Sequence, residues 1–205
     1  PERADDELSV QAEMAVKAAK AALAAANKDS KDIDAVVVSC AYTQRSYPAI
    51  AIEVQDALGI EGFGFDMLVA CSAATFALHR AYEMVAAKTA KAVLVINPEL
   101  TSPQVNYTDR DSHFIFGDVA TAVVVEKQET ATAQHCFKIL SQKPMTTFSN
   151  NIRSNFGHIN RCNPETMFDN DKMFVQQGRK VFKEVLPMVY GLIDQQMAEA
   201  GLEAK

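Results

Sequence analysis

Three short runs rich in β-branched residues limit this chain more than any other feature does. They are Ala35-Val36-Val37-Val38-Ser39-Cys40, Ala92-Val93-Leu94-Val95-Ile96 and Ala120-Thr121-Ala122-Val123-Val124-Val125-Glu126. A strand covered on one face alternates apolar with polar side chains. A run that is apolar almost throughout must be covered on both faces. Helices on either side of a sheet provide that cover, and the segments between the runs have helical spacing. The expected architecture is an α/β layered fold with a mostly parallel sheet.

The helices read as follows. From Leu8 to Asn27 the chain is rich in Ala, with Met14, Val16, Ala19, Ala22 and Leu23 on one face of an amphipathic helix. Pro48 is predicted to occupy the first turn of a second helix, where its missing N–H costs nothing. Ile50, Ile52, Val54 and Leu58 follow on its apolar face, and Gly59 stops it. Phe63 to Ala70 reads as another buried strand and Cys71 to Ala87 as a third helix. After a polar loop from Thr101 to Ser112 and the third run, Phe137 to Leu140 is expected to add a fifth strand. Residues 141–171 show no lasting period and read as a long excursion. Met173, Phe174, Val181, Phe182, Val185, Val189, Leu192, Ile193 and Met197 then form a stripe along a closing helix. The expected divisions are 1–140, 141–171 and 172–205.

With 48% hydrophobic and 22% charged residues among 205, the chain can bury a substantial core. A net charge of −6, with no cluster of Lys and Arg, argues against nucleic acid as a partner. The apolar runs are too short to span a bilayer, and no charged-then-apolar leader precedes them, so no membrane association and a cytoplasmic location are expected. Cys40, Cys71, Cys136 and Cys162 are spaced too irregularly for a metal knuckle or a disulfide framework, and reduced thiols are expected. The opening at Pro1 and the close at Lys205 read as cuts from a longer protein.

Cys71 falls where a predicted strand hands over to a predicted helix. Unpaired N–H groups and the positive dipole end of a helix favour a thiolate there, and Ser72, Ala73 and Ala74 leave room for a substrate to approach. Most buried cysteines are only small hydrophobes, so the neighbouring residues decide the matter. Phe65-Asp66-x-x-x-Ala70-Cys71-Ser72-Ala73 is followed, one helix and one strand later, by Thr108-Asp109-Arg110-Asp111-Ser112-His113-Phe114-Ile115-Phe116-Gly117-Asp118-Val119-Ala120-Thr121-Ala122. In composition, order and spacing the two segments resemble the β-ketoacyl-acyl-carrier-protein synthase III family of thiolase-fold condensing enzymes. The resemblance covers nearly the whole chain. Phe63-Gly64-Phe65-Asp66, Phe148-Ser149-Asn150-Asn151-Ile152-Arg153 and Gln177-Gly178-Arg179 look most like the branch that makes β-ketodecanoyl-carrier protein from a medium-chain acyl-CoA.

The resemblance implies a homodimeric acyltransferase of fatty-acid biosynthesis, with acyl-CoA as substrate, malonyl-acyl-carrier protein as partner and no cofactor or metal. Cys71 matches the acyl-accepting nucleophile. Arg110 matches the arginine at the nucleotide end of CoA, a task that suits a planar guanidinium. Phe116, Thr101 and Phe174, the last on the closing helix, match the walls of the acyl pocket. Tyr47 matches the aromatic that one subunit lends to its neighbour. The family's His and Asn, which stabilise the decarboxylation enolate, lie beyond the region matched here, so the chain alone is expected to be inactive in condensation. His79, His113, His135 and His158 fall outside their pattern, with His113 nearest the site in sequence. Val119 and Thr121 stand where other members carry glycine. Alternatives are a catalytically inactive thiolase-fold partner or scaffold, or another thiolase-superfamily enzyme such as a biosynthetic thiolase, hydroxymethylglutaryl-CoA synthase or polyketide synthase. A cysteine hydrolase fits poorly, because no His and acid pair follows a recognisable pattern.

Overall fold

In the computed structural model, residues 3–4, 6–154, 165 and 173–203 are described. The chain divides into two compact units, Pro1–Leu100 with Asp118–Ile139, and Thr101–Gly117 with Leu140–Lys205.

The first unit is a three-layer sandwich. Its elements are α1 (Val10–Ala26), β1 (Ala35–Cys40), α2 (Ile50–Leu58), β2 (Phe63–Leu68), α3 (Ala73–Ala86), β3 (Ala92–Glu99) and β4 (Val119–Glu126). The sheet runs β2-β1-β3-β4, with β1 parallel to β2 and β3, and β4 antiparallel to β3. Side chains of β1 and β3 point alternately to the two faces. Val36, Val38, Cys40, Leu94 and Ile96 pack under α1 and α2, whereas Ala35, Val37, Val93 and Val95 pack against α3. Both strands are therefore apolar from Ala35 to Val38 and from Ala92 to Ile96, which is the pattern the sequence shows. Each fully buried Val, Leu or Ile here contributes roughly 1.5–3 kcal/mol of transfer free energy.

Start and stop signals fix the helices. The Ser9 hydroxyl accepts the Ala12 N–H at the start of α1, and Asn27 ends it in the left-handed region, φ 54°. Helix α2 begins at Ile50 behind Ala49, so Pro48 lies outside it, correcting its predicted place in the first turn. The first two free N–H groups of α2 are satisfied from afar, by the Asp66 carboxylate. Strand β2 is only partly covered, against the expectation of a buried strand, because it lies at the edge of the sheet and α3 covers few of its side chains. Residues 137–140 form no strand: Phe137 is 95% exposed, and the run pairs with no neighbour among the described residues.

The second unit contains β5 (Ile152–Ser154), β6 (Phe174–Gln176) and α4 (Gly178–Glu199). Strands β5 and β6 form a short antiparallel ribbon, with Ser154 opposite Phe174. Phe174 thus lies on a strand and not on the closing helix. Helical spacing continues backwards through Met173 and Phe174, but pairing with β5 claims that backbone first. Ser149 Oγ and Asn151 Nδ2 donate to the Glu184 carboxylate at 2.6 Å each, tying the start of the ribbon to α4. Pro187 sits inside α4 and removes one helical hydrogen bond.

Candidate functional site

Strands β1 and β2 end side by side, with Cys40 opposite Leu68 and the Val69 N–H donating to the Cys40 carbonyl at 3.3 Å. The carboxyl ends of parallel strands are where α/β sheets place their ligands. Cys71 follows β2 directly. It lies in a 3₁₀ turn, Ala70–Ser72, and the helix proper starts at Ala73 with Ser72 as its N-cap. The thiol is therefore just ahead of the helix predicted to contain it, and it is exposed. Ala70 carries φ +45°, a left-handed conformation that costs an alanine about 1–2 kcal/mol. Strain of this kind at a strand-to-helix turn is how a nucleophile is lifted clear of its sheet. Helix α3 buries a single stripe, Ala73, Ala77, Ala81, Met84 and Val85, against the sheet.

The neighbouring thiol is of another kind. Cys40, at the end of β1, is fully buried, and burial with the nearby Glu99 charge pushes it up to about 12. The sequence does not distinguish the two sulfurs by composition. Their positions relative to the strand ends do.

Residues 41–49, which join β1 to α2 and include Tyr47, are held by buried polar groups that the sequence reading did not single out. Gln11 is completely buried; its Nε2 donates to the carbonyls of Tyr42 and Pro98 at 2.7 Å each, and its Oε1 accepts the Gln44 N–H at 2.8 Å. The Gln11 N–H in turn donates to Gln44 Oε1 at 3.1 Å. Glu99 accepts the Ala41 N–H. Arg45 forms an ion pair with buried Glu53, which also accepts from the Ser9 N–H at 3.0 Å and the Ser9 hydroxyl at 2.9 Å. Asp66 takes the Ile50 and Ala51 N–H groups at 2.8 Å each. Burial raises the carboxyls of both Asp66 and Glu99 above the usual range, although each receives backbone N–H donors that oppose the shift. The one sequence signal for such a network is a glutamine on the apolar side of an alanine-rich helix. Tyr47 itself is 85% exposed, and the peptide to Pro48 is cis.

Thr101, Arg110, Phe116 and Phe174 belong to the second unit. The rings of Phe116 and Phe174 meet edge to face at 4.7 Å, and Thr101 Oγ1 donates to the Gly117 carbonyl at 3.0 Å, so these three residues cluster. Arg110 is exposed and makes no ion pair among the described residues, so neither Asp109 nor Asp111 neutralises it. Asp109 is engaged otherwise: donation from the Ser112 hydroxyl and the Asp111 N–H holds its carboxyl below the usual range. His113 Nδ1 lies 2.8 Å from the Asp109 carbonyl oxygen, and its ring meets that of Phe114. His79 pairs with Glu83 on α3, His135 is exposed, and His158 and Cys162 lie outside the described residues. An open cleft of about 570 Å³ is lined by Asp111 and residues 176–180 at the start of α4; Cys71 does not line it. Val119 and Thr121 occupy extended positions in β4, which need no glycine. Among the described residues no group of His, Cys, Asp and Glu is placed to hold a metal ion, and no helix is long and apolar enough to cross a membrane.

A layered α/β protein that presents a thiol at the carboxyl ends of parallel strands is the class this fold and site define. Residues 65–142 match the family described as 3-oxoacyl-(acyl-carrier-protein) synthase III. The chain is 52% identical over 198 residues to beta-ketodecanoyl-(acyl-carrier-protein) synthase of Pseudomonas aeruginosa, covering 97% of this chain and 57% of that protein. It is 33% identical over 199 residues to beta-ketoacyl-(acyl-carrier-protein) synthase III of Bartonella henselae, covering 93% and 58%. The crystal structure of 3-oxoacyl-(acyl-carrier-protein) synthase III from Aquifex aeolicus VF5 matches with a TM-score of 0.73 at 28% identity, over 96% of this chain and 59% of that one. The chain belongs to the β-ketoacyl-acyl-carrier-protein synthase III family and has its thiolase-like fold. It spans 57% and 58% of the length of the two curated relatives.

Proposed function

We propose that Cys71 is the acyl acceptor of a decarboxylating condensing enzyme that draws a medium-chain acyl group from acyl-CoA. The observation that carries this reading is an exposed thiol on a strained turn, at the carboxyl ends of parallel strands, in a chain of this family. In the first half-reaction the Cys71 sulfur attacks the thioester carbonyl; the bond to the CoA sulfur breaks, and CoA leaves with the proton the thiol gave up. In the second, malonyl-acyl-carrier protein loses carbon dioxide, and the electron pair of that broken carbon–carbon bond attacks the acyl-Cys71 carbonyl. The Cys71 sulfur leaves and β-ketoacyl-carrier protein is released. Covalent catalysis of this kind divides one difficult carbon–carbon bond formation into two easier steps.

Arg110, exposed and without an ion-pair partner among the described residues, is suited to the phosphate or base of the CoA nucleotide. Phe116, Phe174 and Thr101 wall the acyl chain, and Tyr47 serves the site of a second copy in a cytoplasmic homodimer. The small Thr101 side chain leaves depth for a medium-length chain, so Thr101→Leu should move the preference towards shorter acyl-CoA; an unchanged chain-length profile would refute that role.

The test of the whole reading is intact-mass measurement after incubation with octanoyl-CoA. An octanoyl adduct on the wild type, absent from Cys71→Ser, is the expected result. An adduct that persists in Cys71→Ser, or none on the wild type, refutes the assignment.

A further inference from the structure

We infer that Gln11 and Asp66 are positioning residues that set acyl-chain selectivity by fixing the backbone on which Tyr47 stands. The inference rests on the proposed reading of Cys71 as acyl acceptor and Tyr47 as an acyl-chain contact, and it deepens that reading.

Tyr47 is held by its backbone. Its ring is 85% exposed in the single chain, so packing within that chain does not orient it. The backbone on either side is held instead. Upstream, buried Gln11 pairs with Tyr42 and Gln44, and ties both to the Pro98 carbonyl near the end of β3. Downstream, the two Asp66 oxygens take the Ile50 and Ala51 N–H groups, three and four residues beyond Tyr47. Asp66 belongs to β2, whose next turn carries Cys71. One carboxylate therefore joins the strand that delivers the nucleophile to the segment that presents the aromatic.

Such an arrangement exceeds what helix capping requires. A cap is ordinarily supplied by the residue just before the helix, but Ala49 has no side chain able to provide it. Supplying it from β2 anchors to the sheet the segment that lends Tyr47 to the neighbouring copy. Gln11 has the same character: a buried amide that makes five hydrogen bonds through its side chain and backbone to a loop and two strand ends is costly to leave unsatisfied, so the loop has one favoured conformation.

On the proposed reading of Tyr47, a long acyl chain reaches the aromatic, whereas an acetyl group does not. Loosening the clamp should therefore penalise long acyl groups selectively. The experiment measures the rate of Cys71 acylation by octanoyl-CoA and by acetyl-CoA in the full-length protein, for wild type, Asp66→Ala, Gln11→Leu, Tyr47→Ala and the Asp66→Ala/Tyr47→Ala double variant. The expected result is about a tenfold fall in the octanoyl-to-acetyl rate ratio for each single variant. The double variant should show no further fall, because the clamp acts through Tyr47. Equal slowing of both substrates, an unchanged ratio, or additive losses in the double variant would overturn the inference, since a merely structural role predicts those outcomes. If Asp66→Ala or Gln11→Leu fails to fold, Asp66→Asn decides by the same ratio, retaining one acceptor oxygen and an intermediate fall. The wild-type arm separates the two failures: no acyl adduct at all removes the functional reading and this inference together, while a normal wild-type adduct with an unmoved ratio in the variants removes the inference alone.

Discussion

Replacing Gly62 with alanine should damage this fold far more than the same change at Gly59, although both glycines have positive φ and lie three residues apart. Gly59, φ +62°, ends α2, and an added Cβ would meet nothing within 4 Å. The cost there is the left-handed backbone alone, about 1–2 kcal/mol. Gly62 has φ +109°, and its Cβ would overlap the Asp34 carbonyl oxygen while standing 3.0 Å from the Asp34 carbon. That oxygen accepts the Phe63 N–H at 3.2 Å, the first link between β1 and β2. Relief of the overlap must push β2 away, so a hydrogen bond worth roughly 1 kcal/mol is lost on top of backbone strain of about 1–3 kcal/mol. With the residual clash the total is about 3–5 kcal/mol. For a protein of this size each kcal/mol lowers Tm by roughly 2–4 °C, so about 10 °C is expected for Gly62→Ala against about 3 °C for Gly59→Ala. Thermal and urea unfolding followed by circular dichroism measure both. Equal losses in the two variants, or a Gly62→Ala protein within about 1 kcal/mol of wild type, would refute the steric argument.

Iodoacetamide at pH 8 should alkylate Cys71 and Cys136, which are exposed, and leave Cys40 untouched, since a thiol pushed up to about 12 holds roughly one part in ten thousand as thiolate at that pH; peptide mapping reads the sites. Glu13 is held at about 2 by the Lys17 and Arg3 side chains, from an ordinary 4.5. A carboxyl depressed in the folded state contributes stability that is present above 4.5 and is lost as pH falls towards 2. Glu13→Gln should accordingly reduce the stability lost in that interval, as followed by acid titration of the unfolding midpoint. Leu94→Ala, in the fully buried centre of β3, should cost about 2–5 kcal/mol in urea unfolding.

The elements most legible from the residues were those whose burial is decided locally. The cores of strands β1 and β3, Ala35–Val38 and Ala92–Ile96, are apolar throughout because both faces are covered, and no tertiary knowledge is needed to see it. The Cys71 junction is also visible, since a strand pattern there gives way to a helical one. What escaped depends on partners distant in sequence. Phe137 to Leu140 has strand-like composition but lacks a neighbour to pair with, and Phe174 continues a helical stripe yet is taken by β5. Asp66 looks like a polar interruption in an edge strand until its carboxylate is found at the N–H groups that open α2. Gln11 is hidden for the same reason: a buried amide shows its purpose only when its acceptors, more than thirty residues away for Tyr42 and further for Pro98, are in place.

The left-handed alanine before Cys71 bears on how a protein of this kind could be made more robust. Ala70→Gly would relax its backbone and is the sort of change that stability screens reward, whereas a branched side chain there would resist the conformation and flatten the turn. Either change alters how firmly the sulfur is presented. On the proposed reading of Cys71, residue 70 is a position where selection for durability and selection for reactivity pull in opposite directions, and hardening the fold is better directed at α1 or the rim of the sheet.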